Sequence, residues 1–194
     1  MFYNNYSGAT NTVDRYSLVD TIQTRNSGER VKVVQVIDDT EGFGAMDTLP
    51  LNPYSRNLDL GGGQFDTVTN YLLSAYKVDN YVYDPFNRTQ EHNYHVLNII
   101  KNKPVDTVTS NSVLNVILKN SEREQHIKLA YQALRKGGTA FFKVWRGNAS
   151  AVASHNQSNK EALHYFGELC DVFGEQNLYM PQDDIGNTII AKKM

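Results

Sequence analysis

Three consecutive glycines, Gly61-Gly62-Gly63, follow directly on the short run Asn57-Leu-Asp59-Leu60 and precede a segment with helical periodicity. No other feature of the chain constrains the fold as strongly. A buried strand that ends in glycines and turns into a helix is the first half of a strand–helix–strand unit. Glycine at that turn permits φ > 0 and lets a ligand approach the backbone.

The rest of the chain continues the alternation. Asp66 or Thr67 is placed to cap a helix with Val68, Tyr71, Leu72 and Ala75 inward. Tyr81-Val82-Tyr83 reads as the next strand, stopped by Asp84-Pro85. Residues 89–102 read as a helix with Tyr94, Leu97 and Ile100 on one side, and Pro104 ends it. Residues 105–110 follow as a strand. Ser121-Glu-Arg-Glu124 fits a capping box before the stripe Ile127, Ala130, Tyr131 and Leu134, which Gly137-Gly138 close. A strand over 139–145 leads into a loop rich in Gly, Asn, Ala and Ser. A second capping box, Ser158-Asn-Lys-Glu161, opens a helix with Ala162, Tyr165, Phe166, Leu169 and Phe173 inward. Gly174 ends it. Short strands near 178–180 and 188–191, joined by a turn at 183–187, make an antiparallel hairpin. Upstream, residues 31–37 are β-branched and read as a strand, and Asn52-Pro53-Tyr54 reads as a turn. Strands alternating with helices predict an α/β three-layer sandwich with a mostly parallel sheet, whose ligands bind at its carboxyl edge.

Composition narrows the setting. At 194 residues the chain fits one domain that buries about 70% of its unfolded surface. Nineteen basic and 21 acidic residues leave a net charge of −2, so no overall field draws the molecule to nucleic acid or membrane. The single cysteine, Cys170, excludes an internal disulfide framework and a multi-Cys zinc site. The five histidines have no metal-ligand spacing, and no metal site is expected. No 18-residue apolar run or signal sequence is present, so a soluble, cytoplasmic protein is expected. Asparagine is abundant, with 20 residues, and composition alone gives it no role.

The residues around the glycines bear on the ligand. A nucleotide-type ligand suits such a loop, and dinucleotide enzymes place a diphosphate at the helix start. Asp59 would repel a diphosphate but favour an ammonium or sulfonium group. The third glycine of G-x-G-x-x-G is also absent, since position 66 is Asp66. Both features point away from NAD. Asp84 ends the next strand, where a carboxylate can accept hydrogen bonds from ribose hydroxyls. A turn cluster and a strand-end cap would use the same residues.

Together these features resemble the class I S-adenosylmethionine-dependent methyltransferases. Asp59-Leu-Gly-Gly-Gly63 is similar to their first motif and Asp84 to their ribose-binding acid. The segment from Val105 through Ser110-Asn-Ser112 to Ile117 is similar to their fourth-strand motif. Leu134-Arg-Lys-Gly-Gly138 through Trp145 is similar to their fifth strand with its preceding turn. The resemblance covers about residues 55–194 and departs at Phe65, which stands where the family has its last loop glycine. Between Asp84 and Val105 there is room for one helix only, so the Rossmann-like sheet is expected to be one strand short.

The resemblance implies S-adenosylmethionine as cofactor, held by Asp59, Gly61, Gly62, Gly63 and Asp84, with adenine near Phe86, Ser110, Asn111 and Ser112. It divides the chain into an extension, 1–50, as substrate-side cover, and a methyltransferase domain, 51–194. Methyl transfer is an in-line displacement whose main demand is alignment, worth on the order of 7–11 kcal/mol at best. Asn111 and Lys143 are the candidates for catalysis, Asn111 with Ser110 and Asn115 as possible acceptor contacts. Lys143 resembles the lysine of ribose 2′-O methyltransferases, yet Asn111 and Asn187 stand where that set has acids. The acceptor, small molecule or nucleic acid, is an oxygen or nitrogen nucleophile of unknown identity. The segment from Lys119 to Arg146 holds seven cations and two glutamates, which suits phosphates or a solvated helix face equally. The alternatives are a cofactor-binding domain without catalysis, serving assembly or regulation, and a ribose 2′-O nucleic-acid methyltransferase with an incomplete catalytic set.

Overall fold

The computed structural model describes residues 53–144, 160–181 and 187–194. The extension 1–50, the strand at 31–37, Ser158 and the turn at 183–186 lie outside the described residues.

Six strands form one sheet: β1 (Arg56–Leu60), β2 (Asp79–Tyr83), β3 (Val105–Asn111), β4 (Leu134–Lys143), β5 (Leu178–Tyr179) and β6 (Thr188–Lys192). Their order is β2-β1-β3-β4-β6-β5. β1 to β4 run parallel, while β6 is antiparallel to both β4 and β5. The chain moves outward from β1 to β2, then returns past β1 to β3. The direction of growth therefore reverses beside β1, which opens a crevice at the carboxyl edge. Among the described residues no strand lies beyond β2, as the short connection to β3 led us to expect.

Helices α1 (Thr67–Tyr76), α2 (Gln90–Asn102), α3 (Asn120–Ala133) and α4 (Leu163–Phe173) connect the strands. Alternation along each strand separates two faces. One face carries Leu58, Leu60, Val108, Ala140 and Phe142, which share a core with Val96 and Ile100 of α2, Ile127 and Ala130 of α3, and Leu169 of α4. Phe142 meets Phe173 of α4 edge-on at 6.2 Å between centroids. Burying each Leu- or Phe-sized side chain contributes about 1.5–3 kcal/mol, so this layer dominates the fold's stability.

The opposite face is polar under β1, β2 and β3. Asn57, Asp59, Asn80, Thr107 and Thr109 are all buried there. Helix α1 lies on this side, since Asn80 Nδ2 donates to Thr69 Oγ1 at 2.9 Å. Leu72 and Val78 form a separate small apolar cluster behind it.

Three local expectations are corrected. Ser121 does not cap α3: the N-cap is Lys119, extended at φ −87° and ψ 128°, with no side-chain cap bond. Arg123 organises that helix start by donating to the carbonyls of Ile117 and Leu118 and to Asn120 Oδ1. Gly137-Gly138 do not close α3 either. The helix ends at Ala133, β4 begins at Leu134, and the glycines lie in an irregularity of the β3–β4 register. A Cβ on Gly138 would stand 2.9 Å from the Asp106 carbonyl, which explains the small residue. Finally, Tyr94 does not share the environment of Ile100: it is exposed, because α2 turns Asn93, Val96 and Ile100 inward. Asn93 earns its burial through hydrogen bonds: its Oδ1 accepts from Asp84 N at 3.0 Å and its Nδ2 donates to Asp84 O at 2.9 Å.

Candidate functional site

The predicted site residues of β1 to β4 all fall at the carboxyl edge of the parallel strands. Asp59 lies within β1 two residues before Gly61, and the Asp84 position follows β2. Asn111 ends β3 and is the register partner of Lys143 at the end of β4. Thr188 of β6 pairs with Lys143 in turn, so Asn111, Lys143 and Thr188 form one row on the face shared with Asp59. Asp59 and Thr188, 129 positions apart in sequence, are thus brought to one face by the sheet register alone.

The glycine loop is held from several sides. Gly61 N donates to Tyr83 O at 2.8 Å and Gly63 N donates to Asp84 Oδ2 at 2.9 Å. Arg88 completes the clamp, with Nε donating to Gly63 O at 2.7 Å and Nη2 pairing with Asp66 Oδ1 at 2.8 Å. Asp66 stands at the N-cap position of α1 without a side-chain cap bond, because its carboxylate is turned to Arg88. At Gly61, φ is +77° and a Cβ would lie 2.6 Å from Val113 Cγ2. The missing side chain therefore lets the segment after β3 close against the loop after β1.

Asp59 is 1% exposed, and Thr109 Oγ1 donates to its Oδ1 at 3.0 Å. Asp84 is also buried and both of its oxygens are engaged. Oδ1 accepts from the backbone N–H of Phe86 at 2.9 Å and of Asn87 at 3.0 Å. Oδ2 accepts from Gly63 N and from Asn87 Nδ2, the latter at 3.0 Å. These four bonds match the acceptor capacity of an ionised carboxylate. A ribose diol at Asp84 would have to replace one of these donors, and the Asn87 side chain is the one not fixed by the backbone. Beside it, the Tyr83 phenol is pushed up by burial and then by the Asp84 charge.

Ser110 is placed differently from the expectation. Its side chain is fully buried on the helix side of β3, with Oγ 2.8 Å from His126 Nε2. It ties β3 to α3 and does not face the crevice. Ser112, the first residue after β3, is buried and adopts φ +57°, uncommon for a residue with a Cβ. Its N–H donates to Lys143 O at 2.8 Å. Asn115 is fully buried, and its amide atoms have no hydrogen-bond partner among the described residues. Phe86 is half-exposed, as is Phe65 beyond the glycines.

Sequence reasoning missed His126. Burial drives its pKa down to about 4, and the nearby Asp84 charge pulls the other way without offsetting it. The signal was present: His126, Ala130 and Ala133 share one helical stripe. His92 is half-buried beside β2, with Nε2 donating to the Val82 carbonyl at 2.9 Å. Among the described residues no group of His, Cys, Asp or Glu could hold a metal ion. No helix among them is long and apolar enough to cross a membrane.

Four of the seven cations in the basic stretch are paired among the described residues. Lys119 pairs with Glu122, Arg123 with Glu168, Lys128 with Glu124 and Arg135 with Asp106. Arg135 and the Arg56 backbone hold the Asp106 carboxyl below the usual range, although burial alone would raise it.

Sheet order, the glycine turn after β1 and the terminal antiparallel pair define the Rossmann-like fold of the class I S-adenosylmethionine-dependent methyltransferases. Solved structures share it at low identity. DesVI of Streptomyces venezuelae superposes with a TM-score of 0.52 at 9% identity, over 94% of this chain and 99% of its own. An O-methyltransferase family protein from Burkholderia thailandensis gives 0.52 at 14% identity, over 92% of this chain and 59% of its own. A putative O-methyltransferase from Nostoc punctiforme gives 0.53 at 12% identity, over 97% of this chain and 64% of its own. The chain spans 50% of the methyltransferase SibL and 42% of the Mycobacterium tuberculosis cyclopropane synthase MmaA2. No protein-family model and no curated protein matches the sequence.

Proposed function

We propose that the protein is an S-adenosylmethionine-dependent methyltransferase acting on an oxygen or nitrogen acceptor. The observation that carries this reading is Asp59, a buried carboxylate held at the crevice edge immediately before a glycine turn with positive φ. An anion in that place favours a cationic ligand end, whereas a diphosphate would be repelled. The residues present offer the cofactor's amino-acid end a carboxylate, Asp59, which it reaches once the cover over that buried side chain opens. They fit its ribose once Asn87 yields its place on Asp84, and Phe86 and Ser112 border the space for adenine.

When bound, S-adenosylmethionine supplies a methyl group on sulfonium, a good leaving group. The chain's own part is alignment. The Asn111 side-chain oxygen accepts the acceptor's N–H or O–H and so aims its lone pair, and neighbouring Lys143, acting as the neutral amine, takes the proton and becomes ammonium. Acidic residues on the β1–β2 side and a lysine on the β4 side divide the edge into a cation-binding and an acceptor half. The ion pairs along 119–135 leave little field for a phosphate backbone, which supports a small-molecule acceptor over nucleic acid. Residues 1–50 are the proposed cover over the acceptor, and the cytoplasm the proposed compartment.

Calorimetry with S-adenosylmethionine tests the binding step. Wild type binds, Asp59→Asn binds at least tenfold more weakly, and no heat at about 1 mM ligand would refute the reading. Methyl-label transfer to cell-extract fractions tests the chemistry. Lys143→Ala is expected to keep binding and to lose transfer by about 10²-fold or more. Binding without transfer to any fraction would leave the non-catalytic alternative as the correct one.

A further inference from the structure

The polar face beneath the glycine loop is a directed hydrogen-bond network. Thr107 Oγ1 donates to Asn57 Oδ1 at 2.7 Å. Asn57 Nδ2 donates to Thr109 Oγ1 at 3.0 Å and to Asn80 Oδ1 at 2.7 Å. Thr109 Oγ1 in turn donates to Asp59 Oδ1, and Asn80 Nδ2 to Thr69 Oγ1 of α1.

The directions are forced. An ionised carboxylate only accepts, so the single Thr109 proton is committed to Asp59. The Thr109 oxygen must then receive from Asn57, which fixes the Asn57 amide and turns its carbonyl to Thr107. Both Asn57 amide protons and its oxygen are used. Five polar side chains here occupy interior strand positions where Val, Ile or Leu would pack and pair as well. A satisfied buried polar network gains little stability over an apolar one, but it fixes geometry. This one ends on a carboxylate before the glycine turn and on the helix after it, so it grips both ends of that turn.

We propose that Asn57, Thr107 and Thr109 are positioning residues that lock Asp59 as a fixed acceptor for the amino-acid cation of the ligand. They thereby set the affinity for that end of the ligand specifically. The proposal rests on the cofactor assignment above.

The test compares two ligands by calorimetry on the full chain: S-adenosylhomocysteine, which carries the amino-acid end, and methylthioadenosine, which lacks it. Thr109→Val is expected to weaken S-adenosylhomocysteine roughly tenfold and leave methylthioadenosine unchanged, while Thr109→Ser restores the wild-type ratio. Thr107→Val, one bond further from Asp59, is expected to weaken S-adenosylhomocysteine about threefold with the same indifference to methylthioadenosine. It carries the test if Thr109→Val fails to fold. Equal loss for both ligands, or no loss, overturns the proposal and leaves the cofactor assignment standing. Failure of the wild type to bind either ligand overturns both.

Discussion

His126 makes the stability of this fold depend on pH in a way that can be isolated. Its imidazole is buried against Ser110, with a pKa of about 4 against 6.5 for a free histidine. In the unfolded chain it protonates as pH falls through 6.5, while the folded chain resists protonation until about pH 4. Within that window the unfolded state binds more protons, so stability falls as pH falls. A gap of about 2.5 units at 1.36 kcal/mol each limits the effect to about 3 kcal/mol, of which about 2 kcal/mol is expressed by pH 5. Burial makes this the full value for a group held away from solvent. The assay is urea unfolding followed by circular dichroism at pH 7 and pH 5, for wild type and His126→Gln. The glutamine amide can still bond to Ser110 but cannot titrate. Between the two pH values the wild type is expected to lose about 2 kcal/mol more than the variant. Parallel losses would refute the assignment of the pH dependence to His126.

Two further perturbations test the packing around the site. Gly61→Ala, at φ +77° and against Val113, is expected to cost about 2–4 kcal/mol in chemical denaturation. Adding Val113→Ala should recover only the steric part; full recovery would show that backbone strain at Gly61 is absent. Arg123 bonds to both Glu168 oxygens and to two backbone carbonyls, so Arg123→Ala is expected to cost about 3–5 kcal/mol. Arg123→Lys should rescue little, because an ammonium cannot reproduce the guanidinium fork, and recovery of the wild-type melting temperature would contradict this.

The strand and helix order was legible because each apolar run is short and bounded by Gly, Pro or Asp. The crevice residues were legible because the glycines after β1 and the acid after β2 stand at strand ends. What escaped was set by tertiary contact. Ser121 has the composition of a capping box, yet Arg123 reaches back to Ile117 and Leu118 and starts the helix earlier. Ser110 and Asn111 are adjacent in sequence, but alternation sends Ser110 into the core and leaves Asn111 in the row with Lys143. The polar network could have been read from Asn57-x-Asp59 and Thr107-x-Thr109, which repeat with the period of a strand. It also gives part of the asparagine content a purpose: Asn57, Asn80 and Asn93 each substitute for bonds the buried backbone or its neighbours would otherwise lack.

The junction between α3 and β4 has a consequence for how this chain can change over time. Ala133 ends the helix and Leu134 begins the strand, with no connecting loop to take up slack. One inserted residue there, unless the glycine irregularity absorbed it, would exchange the two faces of β4, turning Phe142 out of the core and carrying Lys143 away from Asn111. Length variation among descendants of this sequence should therefore be excluded at this point. It should gather instead in connections such as the one after β4, where added residues leave the register of Lys143 untouched.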